Sequence, residues 1–228
     1  MSTSNFPNTL PVAEIWVLFP ETDELVVEVR SIWPKGIKPI RGVRSRCFDL
    51  KDYPGVLAFR SAVEQHVVEM NKQGFNLYAT LNPLRGGLGP SHTANDDDVT
   101  CRRRLLIDID RDSGKDHPAS DAEIETASDL ADDIKVHLHA QGWATPIQLM
   151  SGNGHHLVYP LVDLPTSLEV TASIRECLIA LKSKFSRNGF SVDTTVSNPS
   201  RVTKLPGTFV RRGAETKDRP YRVARIYE

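Results

Sequence analysis

The sequence predicts an α+β fold, and three observations carry that prediction. Short β-type runs and three helical patterns follow one another in mixed order along the chain. The 228 residues suffice for one domain with a sizeable core, or for two small lobes. The apolar share of 39% and the charged share of 25% are those of an ordinary soluble globular chain.

Residues 1–12 (MSTSNFPNTLPV) lack the basic start and apolar core of a signal peptide and read as a disordered lead-in. Residues 13–19 (AEIWVLF) and 24–32 (ELVVEVRSI) read as two strands joined by a polar turn at 20–23. Close Pro and Gly spacing makes 33–43 an irregular basic loop. A helix starts at Pro54, lines up Val56, Phe59, Val63, Val67 and Met70, and stops at Gly74. Residues 75–81 (FNLYATL) alternate like a strand, and 85–98 (RGGLGPSHTANDDD) form a loop expected to be mobile. The strand 102–109 follows.

Ser120 with Glu123 makes a capping box for a helix whose inward face carries Ile124, Ala127, Ala131, Ile134 and Leu138, ended by Gly142. Thr166 with Glu169 repeats the device ahead of Val170, Ile174, Cys177, Leu181 and Phe185, with Gly189 at the end. Between these helices, 146–150 and 156–161 are strands around a glycine turn, and 219–227 is a last strand.

Net charge is −1, but the charge is unevenly placed. Residues 92–136 are net −7 and residues 199–228 net +5, so a region able to collect cations coexists with one able to meet phosphate. Cys47, Cys101 and Cys177 lie far apart without a C-x-x-C pair, which fits reduced thiols in the cytoplasm and predicts no structural zinc. No apolar run approaches the ~20 residues that a membrane crossing needs.

Three segments carry chemistry. In LLIDIDRD, strand periodicity sends Asp108 and Asp110 to one face and Leu105, Ile107 and Ile109 to the other. Paired carboxylates repel unless a cation sits between them, and hard oxygen ligands suit Mg²⁺ or Mn²⁺, the metals of two-metal phosphoryl transfer. In SGNGHHLVY, Gly152 and Gly154 flank Asn153 and leave backbone N–H groups open to an anion; His156 follows, with Ser151 at the start of the turn. Taken alone this turn is as well explained by a β-hairpin, and it matches neither the Walker A nor the Rossmann pattern. In VDTTVSNPSRVTKLPGT, Asp193 is an isolated acid suited to be a third ligand, while Asn198, Arg201 and Lys204 are placed to clamp a triphosphate. Arg211, Arg212, Lys217, Arg219 and Arg222 are weaker candidates for nucleic-acid backbone contacts, since surface charge explains each one singly. The basic stretch 33–46 and the loop 85–98 are candidates for template contact on charge and loop character.

Taken in order, LLIDIDRD, SGNGHHLVYPL and VDTTVSNPSRVTKLPGT resemble the archaeo-eukaryotic primase superfamily, in particular the primase-polymerases of phages, plasmids and mobile elements. NLYATLNPL, RRRLLIDID and KDRPYRVARI extend the resemblance over roughly residues 13–228. It implies an RRM-like catalytic sheet packed with a second α/β unit, divided near residue 98. It also implies Asp108, Asp110 and Asp193 as catalytic metal ligands, Ser151 and His156 on nucleotide phosphates, and Arg201 and Lys204 in the same pocket. The reaction implied is template-directed nucleotide addition with Mg²⁺ or Mn²⁺. Single-stranded DNA template, primer and NTP or dNTP are the expected partners, and a helicase or C-terminal accessory domain is the expected associate.

Two rivals make different demands. A rolling-circle endonuclease needs a His-hydrophobic-His metal site; His137-Leu138-His139 fits by letter but lies in a predicted helix, where residues two apart diverge by about 200°. A non-catalytic single-strand-binding module displays aromatics on its sheet, whereas this sheet face carries aspartates and aromatics are 7% of the chain.

Overall fold

A computed structural model describes residues 6, 7, 10–20, 22 and 24–227. The chain builds two antiparallel sheets that face each other across a cleft. Strands β1 (Val26–Ile32), β2 (Val43–Asp49), β3 (Asn76–Thr80) and β8 (Val202–Lys204) form the first, in the order β2-β1-β3-β8. The second contains β4 (Arg102–Arg111), β5 (Ile147–Met150), β6 (His155–Leu164), β7 (Phe190–Val192) and β11 (Arg225–Tyr227), in the order β11-β5-β6-β4-β7. A two-stranded ribbon pairs β9 (Phe209–Val210) with β10 (Arg222–Val223).

The second sheet has RRM-type logic. Helix α2 (Asp121–His139) lies between β4 and β5 in sequence, and α3 (Leu168–Phe185) between β6 and β7, giving a β-α-β-β-α-β succession. Leu105, Ile107 and Ile109 of β4 point at these helices and bury with Leu130, Ile134, Leu178 and Leu181. Alternation along the strand therefore turns the other face of β4 into the cleft. In the first sheet, Val27, Val29, Leu77 and Ala79 pack on Phe59, Val63 and Val67 of α1 (Val56–Lys72). The fourth strand of this sheet, β8, comes from the far end of the chain, so residues 202–204 tie the two layers together.

Several expectations need correction. Residues 13–19 do not pair as a strand: Val12–Leu18 is a 3₁₀ helix. Its three-residue turn stacks Ile15 and Leu18 on one side, both buried, and the Trp16 indole donates to Glu64 at 2.6 Å. The partner of β1 is instead β2, which starts at the last residue of the expected basic loop 33–43. Helix α3 is capped one residue later than the capping-box pattern suggests, by Ser167 accepting from the Val170 N–H. The expected last strand is two short ones, β10 and β11, on different partners.

The loop 85–98 is anchored along its length. Buried Asp98 accepts from Arg85, lies 2.6 Å from the His92 ring, and accepts the Asn95 N–H. Fully buried Glu28 holds Arg30, Thr80 and the Ala94 N–H, and Asp96 accepts from Ser200 and Asn198. The acidic tract is thus largely spent on internal hydrogen bonds. Of the N-terminal lead-in, residues 1–5, 8 and 9 lie outside the described residues, as do Glu21 and Asp23 of the turn at 20–23. Leu10 is buried and Phe6 meets Phe209 edge-on, so at these positions the lead-in lies against the body of the protein. Among the described residues no helix is long and apolar enough to cross a membrane.

Candidate active site

The cleft deepens into a cavity of about 380 Å³ where the end of β4 faces β3 and β8. That volume lies in the range of small-ligand pockets. Asp108 and Asp110 project into it together from β4, and register places Asp108 opposite His156 of β6 and Asp110 opposite Ser191 of β7. Asp193 follows β7, where its main-chain N–H donates to the Asp108 carbonyl at 2.8 Å, and it also lines the cavity. Three carboxylates from two chain segments therefore line the same pocket.

Their electrostatics are those of a site short of positive charge. Burial first, then the Asp110 and Asp193 carboxylates, push Asp108 up to about 7. Asp110 is approached by Lys115 at 3.6 Å and Arg212 at 3.5 Å. The Asp193 carboxylate is turned aside, accepting the Thr195 N–H at 2.8 Å and hydroxyl at 2.7 Å. In this arrangement no three His, Cys, Asp or Glu side chains among the described residues close on a common point. The donor set, carboxylate oxygens alone, is nonetheless the chemistry a hard divalent cation takes, and a rotation of Asp193 would complete it.

The opposite wall is cationic. Lys204 on β8 is buried and lies over the Tyr78 ring, its Nζ 3.7 Å from the centroid. Burial and nearby Arg212 push its pKa well down, against the pull of Asp108. Arg201 lines the cavity while holding Asn198 Oδ1 at 3.0 Å and the Thr195 carbonyl at 2.8 Å. Arg212 also lines it, and one of its buried guanidinium nitrogens has no hydrogen-bond acceptor. His156 bridges the sheets: Nδ1 is 2.8 Å from the Thr203 hydroxyl on β8, and Nε2 is 3.5 Å from Asp108. Burial, then Lys204 and His155, push its pKa down to about 3, so the ring is neutral.

Not every residue singled out in the sequence reaches the pocket. Ser151, Asn153, His156, Arg201 and Lys204 do; Gly152, Gly154 and Asn198 do not line it. The glycine turn is closed on itself, with the Ser151 N–H and hydroxyl bonded to the Gly154 carbonyl and the Gly152 N–H to the Met150 sulfur. This is the hairpin alternative, without an open nest at Ser151 and Gly152. Gly154 is required for close approach, since a Cβ there would sit 2.2 Å from the Ile109 carbonyl oxygen. Asn153 accepts the Ala119 N–H, and Asn198 spends its amide on Asp96 and Ser200.

The C-terminal basic residues form no continuous cationic track. Arg211 is buried under Phe209 and donates to the Asn71 carbonyl. Arg219 clasps Glu123, and Arg222 holds the Ala119 carbonyl and Asp121. Arg212 turns inward to Asp110, which leaves Lys217 exposed. Sequence reasoning missed Tyr78, Asn76, Thr203 and Lys115. The polar alternation of Asn76, Tyr78 and Thr80 was the available signal for the first two. His137 and His139 lie on α2, on the far side of the sheet from Asp108, with His137 beside Lys184.

Two antiparallel sheets around a carboxylate-lined cleft define an archaeo-eukaryotic primase-like fold, and comparison with solved structures bears this out. The chain is similar to the AEP domain of the cyanophage S-2L primase-polymerase, with TM-score 0.54 and 19% identity over 96% of this chain and 91% of that one. It is also similar to the polymerase domain of Mycobacterium tuberculosis ligase D in complex with DNA (TM-score 0.53, 14% identity, 93% of this chain and 77% of that one). A third match is the primase RepB′, at TM-score 0.50 and 12% identity, where the alignment spans 95% of this chain and 55% of that one. No family model and no curated protein matches the sequence.

Proposed function

We propose that the protein is a metal-dependent nucleotidyltransferase acting as a DNA primase or DNA polymerase on single-stranded template, in replication of phage, plasmid or mobile-element DNA. The observation that carries this reading is one cavity holding two sets of groups. Asp108, Asp110 and Asp193 line it together with Lys204, Arg201 and Arg212. A nucleoside triphosphate with its divalent cations matches both sets at once, whereas a carboxylate face alone repels phosphate. The similarity to primase and polymerase structures supports the same reading at the level of fold.

In this reading Asp108, Asp110 and Asp193 would hold Mg²⁺ or Mn²⁺, which supplies Lewis-acid stabilisation of the attacking 3′-oxygen and of the leaving pyrophosphate. Arg201, Lys204 and Arg212 orient the triphosphate. His156, neutral and fixed by Thr203, offers Nε2 as a donor to a phosphate oxygen, and Tyr78 forms the floor beneath Lys204. Arg212, whose Nη1 faces Asp110 without a hydrogen bond, would be placed to meet a phosphate oxygen beside a cation held by the carboxylates.

The test is primer extension on a single-stranded template with NTPs or dNTPs and Mg²⁺ or Mn²⁺, with and without primer. Wild type is expected to add nucleotides, and Asp108→Ala and Asp110→Ala to lose at least about a thousandfold in rate, the scale of removing transition-state charge stabilisation. Equal activity in all three proteins would sink the assignment.

A further inference from the structure

Many arginines of this chain are already paired. Arg30, Arg85, Arg103, Arg111, Arg187, Arg219 and Arg222 each face a carboxylate. The stretch 33–48 is different: it holds Lys35, Lys38, Arg41, Arg44 and Arg46 and no acid. All five are exposed, and among the described residues none makes a side-chain ion pair or hydrogen bond. An exposed cation without an internal partner keeps its full charge available for phosphate.

Three of the five are held in place by aromatic rings. Arg41 lies 4.8 Å from the Trp33 ring, Arg44 5.2 Å from Phe75, and Arg46 4.9 Å from Phe48. Two of the rings are linked, since Trp33 and Phe75 meet edge-on at 5.1 Å. The guanidinium groups therefore stand in a row beside edge strand β2, with less side-chain freedom to lose on binding than free arginines. Register sets Arg44 and Arg46 opposite Ser31 and Val29 on the α1 side of the sheet, and the row meets the cleft at the β1–β2 turn, where Trp33, Pro34 and Lys35 line the cavity that contains Asp108 and Asp110.

We propose that the row Arg41, Arg44 and Arg46, led by Lys35 and Lys38, is the path by which single-stranded nucleic acid enters or leaves the catalytic cleft. The inference rests on the nucleotidyltransferase reading for what happens at the end of that path, and on the row itself for binding. Ring-backed guanidinium groups give two things a flexible strand needs, a fixed line of charge for its phosphates and flat surfaces for unstacked bases. A duplex, with its bases closed, can use only the first.

The experiment measures binding of the full chain to a labelled single-stranded oligonucleotide, and to a duplex of equal length, across a salt series. Arg41→Gln/Arg44→Gln/Arg46→Gln is compared with Arg175→Gln/Lys182→Gln/Lys184→Gln, which removes the same charge from exposed positions of α3. Unchanged thermal melting shows that both variants fold. The row variant is expected to bind single strands at least about tenfold more weakly and to lose roughly 2 from its log–log salt slope, at about 0.7 per phosphate contact. The α3 variant is expected to stay within about threefold of wild type. Equal affinity and slope in the row variant and wild type would overturn the proposal. A loss on duplex as large as on single strands would overturn the single-strand assignment in favour of a backbone site for paired DNA. Primer extension by wild type, run in parallel, separates the two claims. Extension without a row effect keeps the catalytic reading and removes the path; a row effect without extension does the reverse.

Discussion

At the scale of single residues, Asp108 is the group whose environment least suits its charge. Its pKa is raised to about 7, against 3.8 in an ordinary carboxyl, by burial and by Asp110 and Asp193. A group whose folded pKa is raised contributes stability that is complete below the unfolded value and lost as pH rises through the folded one. Above pH 7 the metal-free protein therefore carries the cost of an ionised Asp108. Asp108→Asn is expected to melt higher than wild type at pH 8 without metal, the difference fading as pH falls from 7 to about 4. Adding Mg²⁺ or Mn²⁺ is expected to raise the melting temperature of wild type and leave the variant nearly unmoved. Thermal melts with and without EDTA check both, and an identical metal response in the two proteins would remove Asp108 from the ligand set. His156→Ala is expected to act differently, raising the apparent KM for nucleotide more than it lowers kcat, which steady-state extension kinetics resolve.

At the scale of elements, the capping box of α2 shows how a local sequence signal is reinforced from a distance. Ser120 and Glu123 form both reciprocal bonds, as their spacing predicts. Glu123 then does more than cap. Against the upward push of burial, the hydrogen bond from Arg219, the Ser120 N–H and the Arg111 charge hold its pKa down to about 2. Ser120→Ala is expected to cost about 1 kcal/mol, the usual worth of an N-cap. Glu123→Ala is expected to cost roughly 2–3 kcal/mol, because it strips buried Arg111 of its carboxylate as well. Urea unfolding measures both, and equal costs would show that the clasp with Arg111 and Arg219 contributes nothing. The same comparison explains what was legible in the sequence. Helices α1 and α2, strand β4 and the shared face of Asp108 and Asp110 follow from period and caps, which are local. The internal use of Asp96, Arg211, Arg219 and Arg222 depends on partners 96 to 140 positions away, and spacing alone carries no trace of those. Tyr78 and Thr203 joined the candidate site for that reason too, each from a strand whose neighbour is set by the fold.

At the scale of the whole molecule, two sheets and their helices bury histidines in a form that acid must disturb. His66 is pushed down to about 4 by burial and Arg46, against Glu69; His155 also falls to about 4, by burial and Lys135 against Asp132. Both stay neutral in the folded chain at pH values where the unfolded chain, titrating near 6.5, takes up protons. Each therefore contributes stability that is present above pH 6.5 and lost as pH falls towards 4. Glu123 follows at lower pH, with stability present above 4.5 and lost as pH falls towards 2. Asp108 works against this trend between pH 7 and 4, since protonation relieves its repulsion, so wild type blends opposite slopes. The cleaner measurement uses Asp108→Asn. Its melting temperature is expected to fall as pH drops from 6.5 to about 5.5, a window in which ordinary carboxylates have barely begun to titrate, and to fall faster below. His66 and His155 resonances followed by NMR should stay in the neutral form down to about pH 4. A melting temperature flat between pH 7 and about 5.5 in this variant, or either ring titrating near 6.5 in the folded state, would show that the cores leave these rings free to ionise.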